Sequence, residues 1–174
     1  MPPSRNALLS LLVALGCITG NCSAREVNAE GFSFKAPRGW QVQHTDDCYL
    51  LSSPQKSRME EYTLSVCARH APLEQVAVDE LFFGQEDGQW MRYAGISPPS
   101  PVDEIRGAGW TGLRVIQTCG VGDPESGFHA AGGDCLMAVV SNGTTSVMFD
   151  SVGLTREFAK LYAIIDSVRF SSGD

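Results

Sequence analysis

The stretch Trp110–Asp150, WTGLRVIQTCGVGDPESGFHAAGGDCLMAVVSNGTTSVMFD, decides the fold. Two β-rich arms flank a run of small residues with a cysteine at each foot, Cys119 and Cys135. Trp110 to Cys119 reads as a strand, Gly120 to Asp134 as a loop, and Cys135 to Ser141 and Thr144 to Ser151 as two further strands. Asn142-Gly143 between apolar extended runs is a strong hairpin signal, because both residues of such a turn need positive φ. That turn predicts Val140 facing Thr145, Ala138 facing Val147 and Leu136 facing Phe149. Met137, Val139 and Met148 are apolar as well, so both faces of the hairpin are expected to be covered and the hairpin to lie mid-sheet.

Outward toward the N-terminus, Gly31–Ala36 alternates apolar and polar residues, and Trp40–Gln43 resumes the alternation after the turn Pro37-Arg38-Gly39. Cys48–Ser53 and Tyr62–Arg69 read as a second hairpin. Centred between Ser57 and Arg58, it sets Cys48 opposite Cys67 at the Cα separation a disulfide needs. Leu73–Phe83 has helical spacing after Pro72 and is closed by Gly84. From Gln85 to Gly109 the period is lost, apart from a short strand at Trp90–Tyr93 and an extended crossover at Pro98–Pro101. Toward the C-terminus, Thr155 caps a helix whose Phe158, Leu161, Tyr162, Ile165 and Val168 share one face.

At the start of the chain, Arg5, the apolar run Leu8–Leu15 and the small residues up to Ala24 make residues 1–24 an export signal. Its apolar core is far shorter than the roughly 20 residues that span a bilayer, so no transmembrane segment is expected. Residues 25–174 then form one domain. Cleavage after Ala24 leaves four cysteines, an even set; the alternative is a lipid anchor through Cys17 in Ala14-Leu15-Gly16-Cys17, with Cys22 left as an odd thiol. The expected location is periplasmic or secreted.

The same symmetric counting pairs Cys119 with Cys135 about Gly127, so two disulfides are expected, each worth roughly 3 kcal/mol if unstrained. The second one ties the feet of a loop long enough to have a role of its own. Asp123, Glu125, Phe128 and His129 are its candidate partner-binding residues, against the plain alternative of a surface loop.

The full chain carries a net charge of −7, and loss of Arg5 makes the remainder one unit more negative. This argues against nucleic acid and anionic lipid and favours a basic protein partner. His44, His70 and His129 have no zinc-type spacing, and His44 beside Asp46 and Asp47 reads as a polar turn. No nucleophile elbow occurs, and Gly120-Val121-Gly122 lacks the third glycine of a dinucleotide loop. Trp40, Trp90 and Trp110 read as core aromatics rather than a ligand groove. The chain is therefore read as no enzyme, with no metal and no cofactor.

Phe32–Trp40 (FSFKAPRGW), Gly109-Trp110-Thr111-Gly112, the apolar hairpin and the closing Ile164–Phe170 together resemble the PsbP-like superfamily, which includes DcrB-like bacterial proteins. The resemblance covers most of the chain after the leader. It implies an α+β fold, an antiparallel β-sheet with helices packed on it in an α/β/α sandwich, and a non-catalytic accessory or binding role; the four cysteines lie outside the pattern. The leading functional expectation is an exported protein-binding module, of the kind that neutralises a secreted toxin as an immunity protein. The alternatives are an accessory factor for an envelope assembly or uptake system and a small hydrolase with an unrecognised site. Feeding cells a labelled fatty acid is expected to leave the protein unlabelled; label that vanishes with Cys17→Ser would establish the lipid anchor instead.

Overall fold

The computed structural model describes residues 24–54, 63–93, 98–123, 128–152 and 158–171, with the backbone alone at 119–123 and 128–133. The export signal, the linker at 55–62 and Thr155 lie outside the described residues. In chain order the elements are β1 Arg25–Ala29, β2 Phe32–Ala36, β3 Gln41–Thr45, β4 Cys48–Ser52, β5 Thr63–Arg69, α1 Leu73–Asp79, β6 Phe83–Glu86 and β7 Gln89–Arg92. There follow β8 Ser100–Pro101, β9 Asp103–Gly107, β10 Trp110–Asp123, β11 Phe128–Ser141, β12 Ser146–Val152, α2 Phe158–Asp166 and β13 Arg169–Phe170.

A seven-stranded sheet runs β3-β4-β5-β12-β11-β10-β9, every pair antiparallel. The double-sided burial expected of the apolar hairpin is present. On β11, Leu136, Ala138 and Val140 point into one core with Leu64, Val66 and Phe149, and Val139 points into another with Leu113 and Val115. The first core is closed by Leu161, Ile164 and Ile165 of α2 and by Phe32 and Phe34 of the small sheet β1-β2-β13. The second is closed by Val76 and Ala77 of α1 and by Phe83 and Trp90 of the small sheet β6-β7-β8. Trp40, Trp90 and Trp110 are all buried, as core aromatics.

The β11–β12 register differs from the expected one. Val140 faces Val147 and Ala138 faces Phe149, a slip of two residues. The Asn142 side chain is the cause: its Oδ1 accepts from the Thr144 and Thr145 amides at 3.1 and 2.9 Å, folding 142–145 into a four-residue connection rather than a two-residue turn. Because side chains alternate with period two, an even slip leaves every residue on its expected face.

The Cys48–Cys67 disulfide is as expected, with the two residues opposite each other and Cα atoms 4.1 Å apart. Such a bond belongs to an oxidising compartment. Among the described residues it is the one disulfide with both partners seen, rather than the two expected. Cys135 is buried and disulfide-bonded, while the Cys119 side chain lies outside the described residues. In the ladder Cys135 faces Gln117, with a register shift between Thr118 and Gly120, so the symmetric placement about Gly127 does not hold.

Two further expectations are corrected. Helix α1 stops at Asp79 instead of running to Phe83, since Phe82 takes φ +56° and turns the chain into β6. The stretch after it is not patternless: Asp87-Gly88, at φ +50° and +80°, closes the β6–β7 hairpin as a type I′ turn, and Asp103–Gly107 is the sheet edge.

Trp110 locks the end of this frame to the helical layer. Its Nε1 donates to the Val168 carbonyl at 3.3 Å, and its ring lies where a Cβ on Gly107 would stand. Gly107→Ala is expected to cost about 1–3 kcal/mol through overpacking, and Phe149→Ala about 3–5 kcal/mol through the cavity left in the first core. Urea denaturation of each variant measures both.

Candidate functional site

The expected loop Gly120–Asp134 is for the most part strand. β10 continues to Asp123 and β11 begins at Phe128, pairing Gly120 with Ala131, Val121 with Ala130, Gly122 with His129 and Asp123 with Phe128. Small residues read as loop because they carry no hydrophobic period, yet they pair well enough through their backbone. β9 accompanies β10 only along Trp110–Arg114, and β12 accompanies β11 only along Met137–Ser141. Beyond those limits, among the described residues, the hairpin is a two-stranded ribbon that leaves the sheet. Its root is fastened by the Leu136 amide, which donates to the buried Ser151 Oγ at 2.7 Å. Asp123, Phe128 and His129 thus occupy neighbouring register positions at the far end of the ribbon; Glu125 lies outside the described residues.

A second candidate is a groove of about 650 Å³ at the disulfide end of the molecule. It is formed where the β1–β2 turn, the β3–β4 turn and the end of β5 meet, with Phe32, Tyr49 and Ala68 on its apolar side and Glu30, Asp46, Asp47, His44 and His70 at its polar rim. Asp46, at φ +47°, makes the β3–β4 turn. The His44 and Tyr49 rings lie 4.7 Å apart, and Tyr49 also meets Phe34 edge-on at 5.8 Å. Asp46 and Asp47 form the polar turn expected of them, while His44 lies in β3 opposite Tyr49, and what the linear spacing hid is that His70, from the far end of β5, reaches the same groove. Among the described residues no group of three or more His, Cys, Asp and Glu side chains is placed to hold a metal ion. Arg69 also lines the groove, its Nε donating to the Glu80 carboxylate at 2.6 and 2.9 Å.

Behind the second core sits a charge pair. Arg92 is buried, its Nε donating to the Leu81 carbonyl at 3.2 Å, while its Nη1 is buried without a hydrogen-bond partner. Desolvation lowers the Arg92 pKa, offset in part by the Asp150 charge. Desolvation likewise raises the half-buried Asp150 carboxyl above its ordinary value, and Arg92 pulls it back. The two charges act on each other from β7 of the covering layer and β12 of the main sheet without a direct ion pair.

No protein-family model matches the chain, and no curated protein sequence matches it. Solved structures do. A Bacteroides thetaiotaomicron protein, solved by crystallography at 1.50 Å, aligns with a TM-score of 0.56 at 8% identity. The match covers 86% of this chain and 49% of that one, so the chain spans about half the length of that protein. Cyanobacterial PsbP (CyanoP) from Synechocystis sp. PCC 6803 aligns over 92% of this chain and 99% of its own at 16% identity, with a TM-score of 0.45. The first likeness is of overall fold alone.

Removing Arg92 while Asp150 stays is expected to raise the Asp150 pKa further. A carboxyl raised on folding stabilises most below its unfolded pKa, and that stability is lost as pH rises through the folded value. Arg92→Met should therefore lose stability relative to the parent as pH is taken from about 4 to 7, and adding Asp150→Asn should remove this pH dependence. Denaturant titrations at both pH values check the sign.

Proposed function

We propose that the chain is an exported, non-enzymatic protein-binding module of the cell envelope that takes a basic protein partner, with neutralisation of a secreted toxin as its role. The observation that carries this reading is the ribbon of β10 and β11, which leaves the sheet and holds Asp123, Phe128 and His129 at neighbouring positions near its tip. A two-stranded ribbon rooted in a buried sheet presents those residues at low ordering cost, which is what a recognition element needs. The net charge of −7 supports a basic partner, and the Cys48–Cys67 disulfide supports export. Among the described residues no helix is long and apolar enough to cross a membrane.

In the same reading, residues 25–174 form the domain left after cleavage of 1–24. Cys119 pairs with Cys135 across the register shift, bracing the ribbon where β9 and β12 no longer accompany it. Peptide mapping of the unreduced protein is then expected to yield a Cys119–Cys135 linked fragment.

The functional test is affinity capture from periplasm with the intact protein and with Phe128→Ala plus His129→Ala. The expected result is a partner held by the parent and weakened about tenfold or more by the double substitution. Retention at full affinity would remove the ribbon from the account, and a captured assembly or uptake component would replace toxin neutralisation with an accessory role.

A further inference from the structure

The outer face of the β6-β7-β8 layer carries a feature that folding does not account for. Phe82 is 62% exposed and Tyr93 43% exposed, and the Tyr93 amide donates to the Phe82 carbonyl at 3.0 Å. This places the two aromatics opposite each other, one step beyond the Phe83–Arg92 pair of the ladder. Phe83, Trp90 and Arg92 point inward and are buried, so the alternation turns Phe82, Gly84, Met91 and Tyr93 outward together. The Tyr93 ring leans across Gly84, where a Cβ would stand 3.0 Å from Cε2, and its hydroxyl donates to Glu86 Oε2 at 3.2 Å.

Phe82 is also strained. A bulky side chain at φ +56° is a conformational outlier, and glycine would hold the same turn at no steric cost. Keeping a large exposed aromatic there sacrifices stability for a surface. Glu86, hydrogen-bonded to Tyr93, and Asp87 beside it in the β6–β7 turn put acids at one edge of that surface. Between Pro72 and Tyr93 lie Glu74, Asp79, Glu80, Glu86 and Asp87, against a single cation, Arg92, which is buried. Glu80 is occupied by Arg69; Glu74, Asp79, Glu86 and Asp87 are exposed.

From this we infer that the Phe82–Tyr93 face is a docking surface for an arginine-bearing basic segment of a partner protein. An aromatic pair with acids at one edge matches the two ways a guanidinium is recognised, over a ring face and by carboxylates. A desolvated aromatic centre with a polar rim is also the general anatomy of a protein interface. The same acids disfavour a second copy of this chain and an anionic membrane. This surface lies on the covering layer of the second core, separate in the chain from the ribbon.

Fluorescence anisotropy with labelled octa-arginine at low salt tests it, because Phe82→Gly removes the aromatic while relieving the strain. Phe82→Gly is expected to raise the Tm by about 2–4 °C. Combined with Tyr93→Ala it is expected to weaken octa-arginine binding roughly tenfold, whereas Glu26→Gln, an exposed acid on β1, leaves binding unchanged. Glu86→Gln should weaken it by a smaller factor. Equal affinity of parent and Phe82→Gly/Tyr93→Ala, or equal binding of octa-glutamate, would overturn the proposal. So would binding to phosphatidylcholine vesicles that disappears with Phe82→Gly. The ribbon's own test reads a different variant and a captured protein, so the two readings fail separately.

Discussion

Strand β11 is buried on both faces, and the architecture follows from covering it. Leu136, Ala138 and Val140 demand one apolar cover, and Val139 with its half-buried neighbour Met137 demands another. A sheet with a water-facing side would need only one layer on top of it; this one needs two. α2 with β1-β2-β13 supplies the first, and α1 with β6-β7-β8 supplies the second. Gly112 shows how closely the centre is packed, since a Cβ there would meet the Val139 carbonyl oxygen at 2.5 Å.

The two covers differ in character. The first is held by apolar packing and by Trp110, whose indole reaches the Val168 carbonyl behind α2. Arg114 adds to it from the sheet, its guanidinium 3.9 Å above the Tyr162 ring. Arg114 Nε there is buried without a partner, and the second cover contains a buried guanidinium with an unsatisfied Nη1, set against the raised Asp150 carboxyl of the sheet, and a phenylalanine in the left-handed region. Local conflicts of this kind gather where a surface is kept for something other than stability. The ribbon, by contrast, is paired backbone, with one register shift between Thr118 and Gly120, that extends past its sheet neighbours.

Much of the frame was legible in the residues. Cys48 and Cys67 fall opposite each other by counting across the linker, and the hairpin register obeys that count. The faces of β11 and β12 survived a misplaced turn because the slip was even. Of the expected stripe on α2, Leu161 and Ile165 are buried and Phe158 and Tyr162 half-buried, Ile164 joins them unforeseen, and the helix ends at Asp166 before the buried Val168. The ribbon was not legible, because Gly120, Gly122, Ala130 and Ala131 give backbone pairing no side-chain signature. The β6–β7 hairpin did leave a signal, Asp87-Gly88 between short apolar runs, but it is easily passed over beside the stronger Asn142-Gly143, which in turn misplaced a register. For the candidate sites, Asp123, Phe128 and His129 were picked out by the run that encloses them, whereas Phe82 and Tyr93 were not.

By itself the sequence determined the α+β class, the double-sided central hairpin, the Cys48–Cys67 bond and the acidic balance, since alternation, helical spacing, cysteine parity and charge are local or additive properties. Only the tertiary structure decided which residues share a surface. His44 meets the groove that His70 reaches from β5, Phe82 meets Tyr93, and Arg92 faces the field of Asp150. Each of these depends on strand order and register. Those are set by how the whole chain covers its sheet, and no window of neighbouring residues contains them.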